Sequence, residues 1–204
     1  DIEFHEGTFA VAGTDKTIEF SAVAKAAIVP ASVPDGLEPG LNEQATYTAE
    51  VMNYPNGCHV CEIEIDPDTG IVEILKYSVI DDVGTVMNPL LLKGQIQGGI
   101  AQGVGQALLE EIVYDDDGQL ITGSFMDYAM PRAEHMSYME VIPNAVPTKT
   151  NPLGVKGAGE AGNVGGLAAV MNAVINALQP LGVSHVDMPL SPERLWRTIQ
   201  EATG

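Results

Sequence analysis

The stretch from Leu90 to Ile112 has the length of a helix and few charges, yet it is rich in very small residues. A glycine inside a helix costs about 1 kcal/mol relative to alanine, so the absent side chains must serve a purpose. The pattern predicts a buried helix that another backbone or a ligand approaches closely. The small residues are Gly94, Gly98, Gly99, Ala101, Gly103 and Gly105.

Charge and length narrow the classes of protein that fit. The 204 residues, 45% of them apolar, suffice for one large domain or two small lobes with a buried core. The net charge of -19 repels phosphate backbones, which argues against nucleic-acid and anionic-membrane partners. No uninterrupted apolar run of about 18 residues occurs, so we expect no membrane span. The chain opens on Asp1 within ordinary folded sequence, and we expect it to be a piece of a longer protein.

The first half of the chain contains patterns for a helix, a strand and a hairpin. The segment from Glu19 to Ile28 has apolar residues at helical spacing and is followed by Pro30, which predicts a short helix. A strand is expected around residues 44–52. Val60–Ile65 and Ile71–Ile80 flank a turn-forming segment, residues 66–70, and predict a β-hairpin.

The second half continues with extended segments and helices. We expect extended backbone at Phe125–Met130 and at Ser137–Ile142, and an apolar helix over Val164–Leu178. Ser191 is the expected N-cap of a last helix, with Pro192 at its first position. No internal repeat gives a secure boundary within the chain.

Cys58 and Cys61 form a C-x-x-C motif, which invites a redox or metal interpretation. The surrounding residues read as a strand, in which positions i and i+3 point to opposite faces. A shared metal or a disulfide would require the pair to leave that geometry. We therefore expect two independent thiols.

The loop at residues 151–162 holds one acid, Glu160, among glycines and directly before an apolar helix. A carboxylate held close to a ligand and partly desolvated there suits a general base. On spacing alone, the simpler interpretation is that Glu160 complements the positive end of the helix, worth about 0.3–1 kcal/mol. Both interpretations stay open at this point.

A nucleotide-binding interpretation competes for the same loop, because Gly157, Gly159 and Gly162 satisfy G-x-G-x-x-G. That fingerprint needs a hydrophobic strand before it and an acid about 20 residues after it. Pro152 disfavours the strand, and residues 161–186 contain no acid. The pattern therefore disfavours a nicotinamide-binding module.

Two motifs carry a resemblance to a known family. Residues 154–160, Gly-Val-Lys-Gly-Ala-Gly-Glu, resemble the loop that bears the catalytic glutamate of molybdenum hydroxylases, the family of xanthine dehydrogenase, aldehyde oxidase and aerobic carbon monoxide dehydrogenase. Residues 94–105 resemble the glutamine- and glycine-rich helix beside the molybdenum cofactor in that family. Residues 81–84 and Asn88-Pro89 precede this helix in the same order, and the resemblance covers essentially the whole chain.

The resemblance implies an α+β fold with mixed sheets and packed helices in two lobes, of the molybdenum-cofactor-binding type. It implies that residues 1–204 are the C-terminal portion of the molybdopterin-binding domain. Glu160 would be the general base that removes a proton from the attacking oxygen. It would lie at a cleft that faces the N-terminal half of the family's subunit, which this chain does not include. Residues implied at the cofactor are Gly94, Gln95 and Gln102 of the helix, and Lys156, Gly157, Ala158 and Gly159 of the loop. Gln97 and Gln106 compete for the amide roles.

The resemblance also implies cofactors and partners. The cofactor would be molybdopterin, in a cytosine dinucleotide form, with molybdenum held through pterin sulfurs, so no protein metal ligand is expected. FAD and iron–sulfur clusters would lie on other domains or subunits, and the N-terminal part of the same subunit would be a partner.

The four histidines are expected to be structural or surface groups, and the protein is expected to be cytoplasmic. A non-catalytic scaffold of the same fold is the alternative, and the sequence does not identify the small-molecule substrate.

Overall fold

A computed structural model describes residues 1–42, 44–136 and 138–204. The chain divides into two units, Asp1–Thr48 and Ala49–Gly204. Each unit contains its own three-stranded sheet, and helices pack beside them. The α+β class expected from the sequence is confirmed.

The first unit is an antiparallel meander followed by a helix. Strands β1 (Ile2–His5), β2 (Thr8–Val11) and β3 (Thr17–Glu19) pair in chain order. Helix α1 (Phe20–Ile28) follows without a break, as its apolar spacing predicts. Three phenylalanine rings, Phe4, Phe9 and Phe20, lie with centroids 4.6 to 6.4 Å apart and join the meander to the helix.

The second unit is organised around a long hairpin. Strand β4 (Asn56–Ile65) pairs antiparallel with β5 (Val72–Asp82), as predicted. In the turn, the carboxylate of Asp66 accepts hydrogen bonds from the Asp68 backbone N–H (2.9 Å) and the Thr69 hydroxyl (2.7 Å). A third strand, β6 (Met139–Pro143), pairs parallel with β5, so β5 is central.

Helices α2 (Pro89–Leu108) and α3 (Ala161–Leu178) pack against each other through glycines. A Cβ built on Gly99 would lie 2.7 Å from the Asn163 backbone nitrogen, and one on Gly103 would lie 2.6 Å from that of Leu167. Real Cβ atoms do not approach other atoms so closely. The close backbone approach expected from the small residues of α2 is therefore confirmed.

The core of the second unit joins the sheet and the helices. Tyr77 and Val79 of β5, Ile100 of α2 and Val174 of α3 are at most 1% exposed. Helix α4 (Pro192–Thr203) seals the core with Leu195. Its start matches the prediction, because the Ser191 hydroxyl accepts from the Arg194 backbone N–H at 3.4 Å.

Three sequence expectations about these elements are wrong. Residues 44–52 form no strand, and Tyr47, Val51 and Met52 are exposed, so the segment buries no apolar face. Residues 125–130 form no strand. A turn occupies residues 125–127, because the Ser124 hydroxyl bonds the Asp127 carboxylate at 2.6 Å and the Ser124 carbonyl accepts two backbone N–H groups. Helix α2 ends at Leu108, before Ile112, because Leu109 leaves helical geometry. The segment predicted from Ser137 begins outside the described residues, and its strand covers Met139–Pro143.

One helix among the described residues, Ala161–Leu181, has the length and apolar composition to cross a membrane. Its side chains Val170, Val174 and Leu178 are 0 to 2% exposed and belong to the hydrophobic core. Core helices of soluble proteins can have the same length and composition but are mostly buried, whereas 22% of the most apolar window of this helix is buried.

Candidate functional site

The first part of the loop before α3, residues 151–156, is anchored by hydrogen bonds. The Asn151 side chain donates to the Val155 carbonyl (2.9 Å) and accepts from the Val155 N–H (3.1 Å). The Lys156 N–H donates to the Val83 carbonyl (2.8 Å), and the Thr85 N–H donates to the Gly154 carbonyl (2.9 Å). The loop is thereby held against the end of β5, so Glu160 projects from an anchored segment.

Asp82 is the centre of this anchor. Its Oδ1 accepts from the backbone N–H groups of Gly84 (2.9 Å) and Val146 (3.0 Å), and its Oδ2 accepts from Lys156 Nζ at 2.5 Å. The hydrogen bond from Lys156, above all, lowers the pKa of Asp82 to about 2. The site residue Lys156 is thus engaged with Asp82 and only 12% exposed.

Glu160 lies at the edge of a cavity of about 750 Å³, directly before the first residue of α3. Its side chain is exposed and makes no cap hydrogen bond to the helix. Gly157 and Gly159 border the same cavity, and a Cβ on either would meet no atom within 4 Å. The carboxylate therefore stands beside a backbone that a ligand can approach.

The other wall of the cavity comes from β4, β5 and the segment before β4. It contributes Asn53, Tyr54, Asn56, His59 and Asp81. The sequence treated His59 as structural or surface and gave no role to the other four. A lone polar residue carries no sequence signal for a cavity wall. The pairing of β4 with β5 brings Asn56, His59 and Asp81 together, and Asn53 reaches the loop through a hydrogen bond to Thr150.

Gln95 joins the glycine-rich helix to the loop, because its Nε2 donates to the Gly159 carbonyl at 2.5 Å. Gln95, Lys156 and Ala158 also border a second cavity of about 300 Å³. The structure thus brings together most of the residues that the sequence selected. Gly94 and Gln102 are exposed on α2 and line neither of these two cavities.

The backbone of the loop leaves room for a cofactor on its cavity side. The backbone at Gly157 and Gly159 faces open space. The buried Oδ1 of Asn163, in the first turn of α3, has no hydrogen-bond partner among the described residues. A buried acceptor left unpaired costs about 1–3 kcal/mol, but Asn163 borders neither of the two cavities, so this atom does not point to a ligand. The N-terminal N–H groups of α3 add a site for negative charge.

Two competing interpretations of the motifs fail on geometry. No strand runs directly into Gly157, since residues 144–156 contain only an isolated bridge of Val155 with Gly84, so the nucleotide-binding fingerprint lacks its context. Cys58 and Cys61 are free, with Cys58 exposed and Cys61 packed against the core. In the part of the chain that the structure describes, no three His, Cys, Asp or Glu side chains form a group suited to a metal ion.

Similar proteins were found both by sequence and by structure. The 6-hydroxypseudooxynicotine dehydrogenase complex subunit gamma of Paenarthrobacter nicotinovorans is 40% identical over 98% of this chain and 25% of its own length. The carbon monoxide dehydrogenase large chain of Afipia carboxidovorans is 36% identical over 83% of this chain and 21% of its own length. Quinoline 2-oxidoreductase from Pseudomonas putida 86 superposes with a TM-score of 0.90 at 39% identity, covering 98% of this chain and 26% of that one.

The chain spans about a quarter of the length of these relatives. A family model described as the molybdopterin cofactor-binding domain matches residues 1–137, which is more than half of the 204 residues. The chain therefore belongs to the molybdopterin cofactor-binding domain family.

Proposed function

We propose that residues 1–204 are the C-terminal portion of the cofactor-binding subunit of a molybdenum hydroxylase, and that Glu160 is its general base. One observation carries the proposal: Glu160 stands at a cavity beside a loop that Gln95 ties to the glycine-rich helix. The family match and the similarity to subunits of oxidoreductases support it.

In this proposal the molybdenum cofactor, when bound, supplies the two-electron redox chemistry and the activation of water. The chain supplies the base and the surroundings of the base. Glu160 accepts a proton from the attacking oxygen, and the Asp82–Lys156 anchor limits the movement of its loop. The open backbone of Gly157 and Gly159 holds the pterin.

The residue assignments differ in what supports them. Gln95 is supported by its contact with Gly159, and Ala158 by its place at the second cavity. Lys156 acts chiefly through Asp82, since its amine is already paired with that carboxylate. Gly94 and Gln102 remain proposals on the resemblance alone.

The remaining partners extend the same proposal. The N-terminal part of the subunit covers the cavity, and a dinucleotide form of the cofactor, iron–sulfur clusters and FAD complete the electron path in a cytoplasmic complex. The oxidised substrate belongs among those named for the relatives, such as nicotine, quinoline, xanthine and carbon monoxide. Nicotine, quinoline and xanthine are N-heterocycles, and the relatives named for the first two are at least 36% identical to this chain.

The test uses the full-length protein purified with its partner subunits. Molybdenum and pterin are quantified, and turnover is assayed with nicotine, quinoline, xanthine, an aldehyde and carbon monoxide. Glu160→Gln should keep the metal and pterin content and lose roughly 10²–10⁴-fold in kcat. Glu73→Gln, an exposed change on β5, should alter neither.

Two outcomes would overturn the proposal. A well-folded, correctly matured parent protein that contains neither molybdenum nor pterin would point to the non-catalytic scaffold. A Glu160→Gln variant with unchanged turnover would remove the base role while leaving the cofactor assignment in place.

A further inference from the structure

A buried polar cluster lies in the cavity wall opposite the loop. His59 Nδ1 is 2.8 Å from the hydroxyl oxygen of Tyr77, and its Nε2 is 3.6 Å from Oδ1 of Asp81. The side chains of His59 and Asp81 are 6% and 3% exposed, and Tyr77 is 1% exposed. The three residues are therefore held in one arrangement rather than free to move in solvent.

Two glycines make room for this cluster. A Cβ on Gly57 would overlap the Asp81 carboxylate, and a Cβ on Gly165 would overlap the imidazole ring of His59. Gly165 belongs to α3, so the ring of His59 rests directly on the backbone of that helix. Any larger residue at position 165 would have to displace either the ring or the helix.

If this cluster had only a structural role, it would lower the stability of the fold. Oδ2 of Asp81 is buried without a hydrogen-bond partner in the described residues. Burying an unpaired polar group costs about 1–3 kcal/mol, which an apolar side chain at the same place would avoid. This cost favours a role in which the position of the cluster matters.

The part of α3 that His59 supports leads directly to Glu160. Gly165 is five residues beyond Glu160, within the second turn of the helix. The Glu160 side chain makes no cap hydrogen bond, so packing has to hold the start of α3. On the other side, Gly162 lies against the Ile96 carbonyl of α2, where a Cβ would also overlap. The helix start is thus wedged between α2 and His59.

We propose that His59 is a positioning residue for Glu160, acting through its contact with Gly165 and held in place by Tyr77 and Asp81. The inference rests on the proposed function, because it assumes that the position of the Glu160 carboxylate limits the reaction. Displacing the ring shifts the first turns of α3 and moves the carboxylate, while the cofactor contacts of the loop remain.

The test compares Gly165→Ala, His59→Ala and the double variant in the full-length protein with its partner subunits. Each single change should lower kcat about 10- to 100-fold, because small misplacements of a catalytic group have effects of that size. KM should stay within about threefold of the parent value, and molybdenum and pterin content should not change. Ala168→Ser, an exposed change on α3, is the control.

The double variant gives the sharpest result. The added methyl group of Gly165→Ala clashes with the His59 ring, so it should cost nothing further once the ring is removed. If the double variant is slower than His59→Ala by the full effect of Gly165→Ala, the proposed contact is wrong. If His59→Ala does not fold, Gly165→Ala and its control Ala168→Ser carry the test through kcat and through backbone hydrogen exchange at residues 161–166, because the added methyl group alone displaces the ring.

A second measurement separates this inference from the proposed function. Backbone hydrogen exchange at residues 161–166 should be faster in both single variants than in the parent or in Ala168→Ser, whether or not cofactor is bound. Unchanged exchange there would overturn the positioning role even if Glu160 is the base. Lower thermal stability with unchanged kcat below the melting temperature would also overturn it.

Discussion

The Lys156 amine donates a hydrogen bond to Oδ2 of Asp82 at 2.5 Å and joins the loop before α3 to the end of β5. The two residues are 74 positions apart in the chain. Both side chains are close to nine-tenths buried, and the carboxylate also accepts from Gly84 and Val146. The Asp82 carboxylate therefore links three segments of the chain: the end of β5, the segment at Val146 and the loop before α3.

Removal of this pair should make the stability of the protein less dependent on pH in the acid range. The pKa of Asp82 is lowered in the folded state, mainly by Lys156. Its ionised form therefore stabilises the fold above the unfolded pKa of about 4, and that contribution disappears as the pH falls toward 2. Lys156→Met should lower thermal stability at pH 7, with a smaller loss near pH 2.

The measurement is thermal unfolding of the parent and Lys156→Met proteins at several pH values between 2 and 7. Lys149→Met removes a lysine of the same region that makes no recorded ion pair among the described residues, and it should show no such dependence. Equal losses for Lys156→Met at pH 7 and at pH 2 would contradict the assigned pKa and its cause.

Local sequence signals predicted the elements that local interactions determine. The hairpin turn at residues 66–70, the cap at Ser191 and the apolar spacing of α1 and α3 each depend on neighbours in the chain. The glycines of α2 also predicted a close approach, although they did not identify α3 as the partner.

Long-range pairing explains most of what the sequence did not predict. Strand β6 pairs parallel with β5, and its register depends on the packed unit rather than on its own five residues. The same holds for the site. Glu160 and Gln95 were found through motifs, whereas His59 and Asp81 reach the cavity wall only because β4 and β5 pair there.

Alanine at position 103 should loosen the contact between α2 and α3. Its Cβ would lie 2.6 Å from the backbone nitrogen of Leu167, and backbone atoms cannot yield locally. We expect Gly103→Ala to cost about 1–3 kcal/mol of unfolding free energy, as overpacking does in cores. Gly98→Ala lies on the exposed side of the same helix with no atom within 4 Å, and should gain up to about 1 kcal/mol.

Urea denaturation of both variants measures the difference. A Gly103→Ala protein as stable as Gly98→Ala would mean that the two helices do not meet at these glycines.

The two cysteines should differ strongly in reactivity. Cys58 is exposed, whereas Cys61 is packed against the core, and burial raises the pKa of its thiol to about 11. The thiolate is the reactive species, and at pH 8 only about one part in a thousand of Cys61 is ionised. Iodoacetamide followed by peptide mass spectrometry should show Cys58 modified at least about tenfold faster. Protection of both thiols that is lifted by a reductant or a chelator would instead indicate a disulfide or a metal site.

Asn151 should govern how firmly the Glu160 loop is held, because its side chain bonds both the N–H and the carbonyl of Val155. In Asn151→Asp the donor is lost and a carboxylate oxygen faces the Val155 carbonyl oxygen. We expect a cost of about 1–3 kcal/mol, concentrated in the loop. Faster backbone hydrogen exchange over residues 152–160, with little change in α4, is the expected result.

Asn144→Asp provides the control. The backbone N–H of Asn144 donates to the Asp81 carbonyl, and its side chain makes no hydrogen bond in the described part of the chain. Uniform acceleration across both regions would show that Asn151 supports global stability rather than the loop.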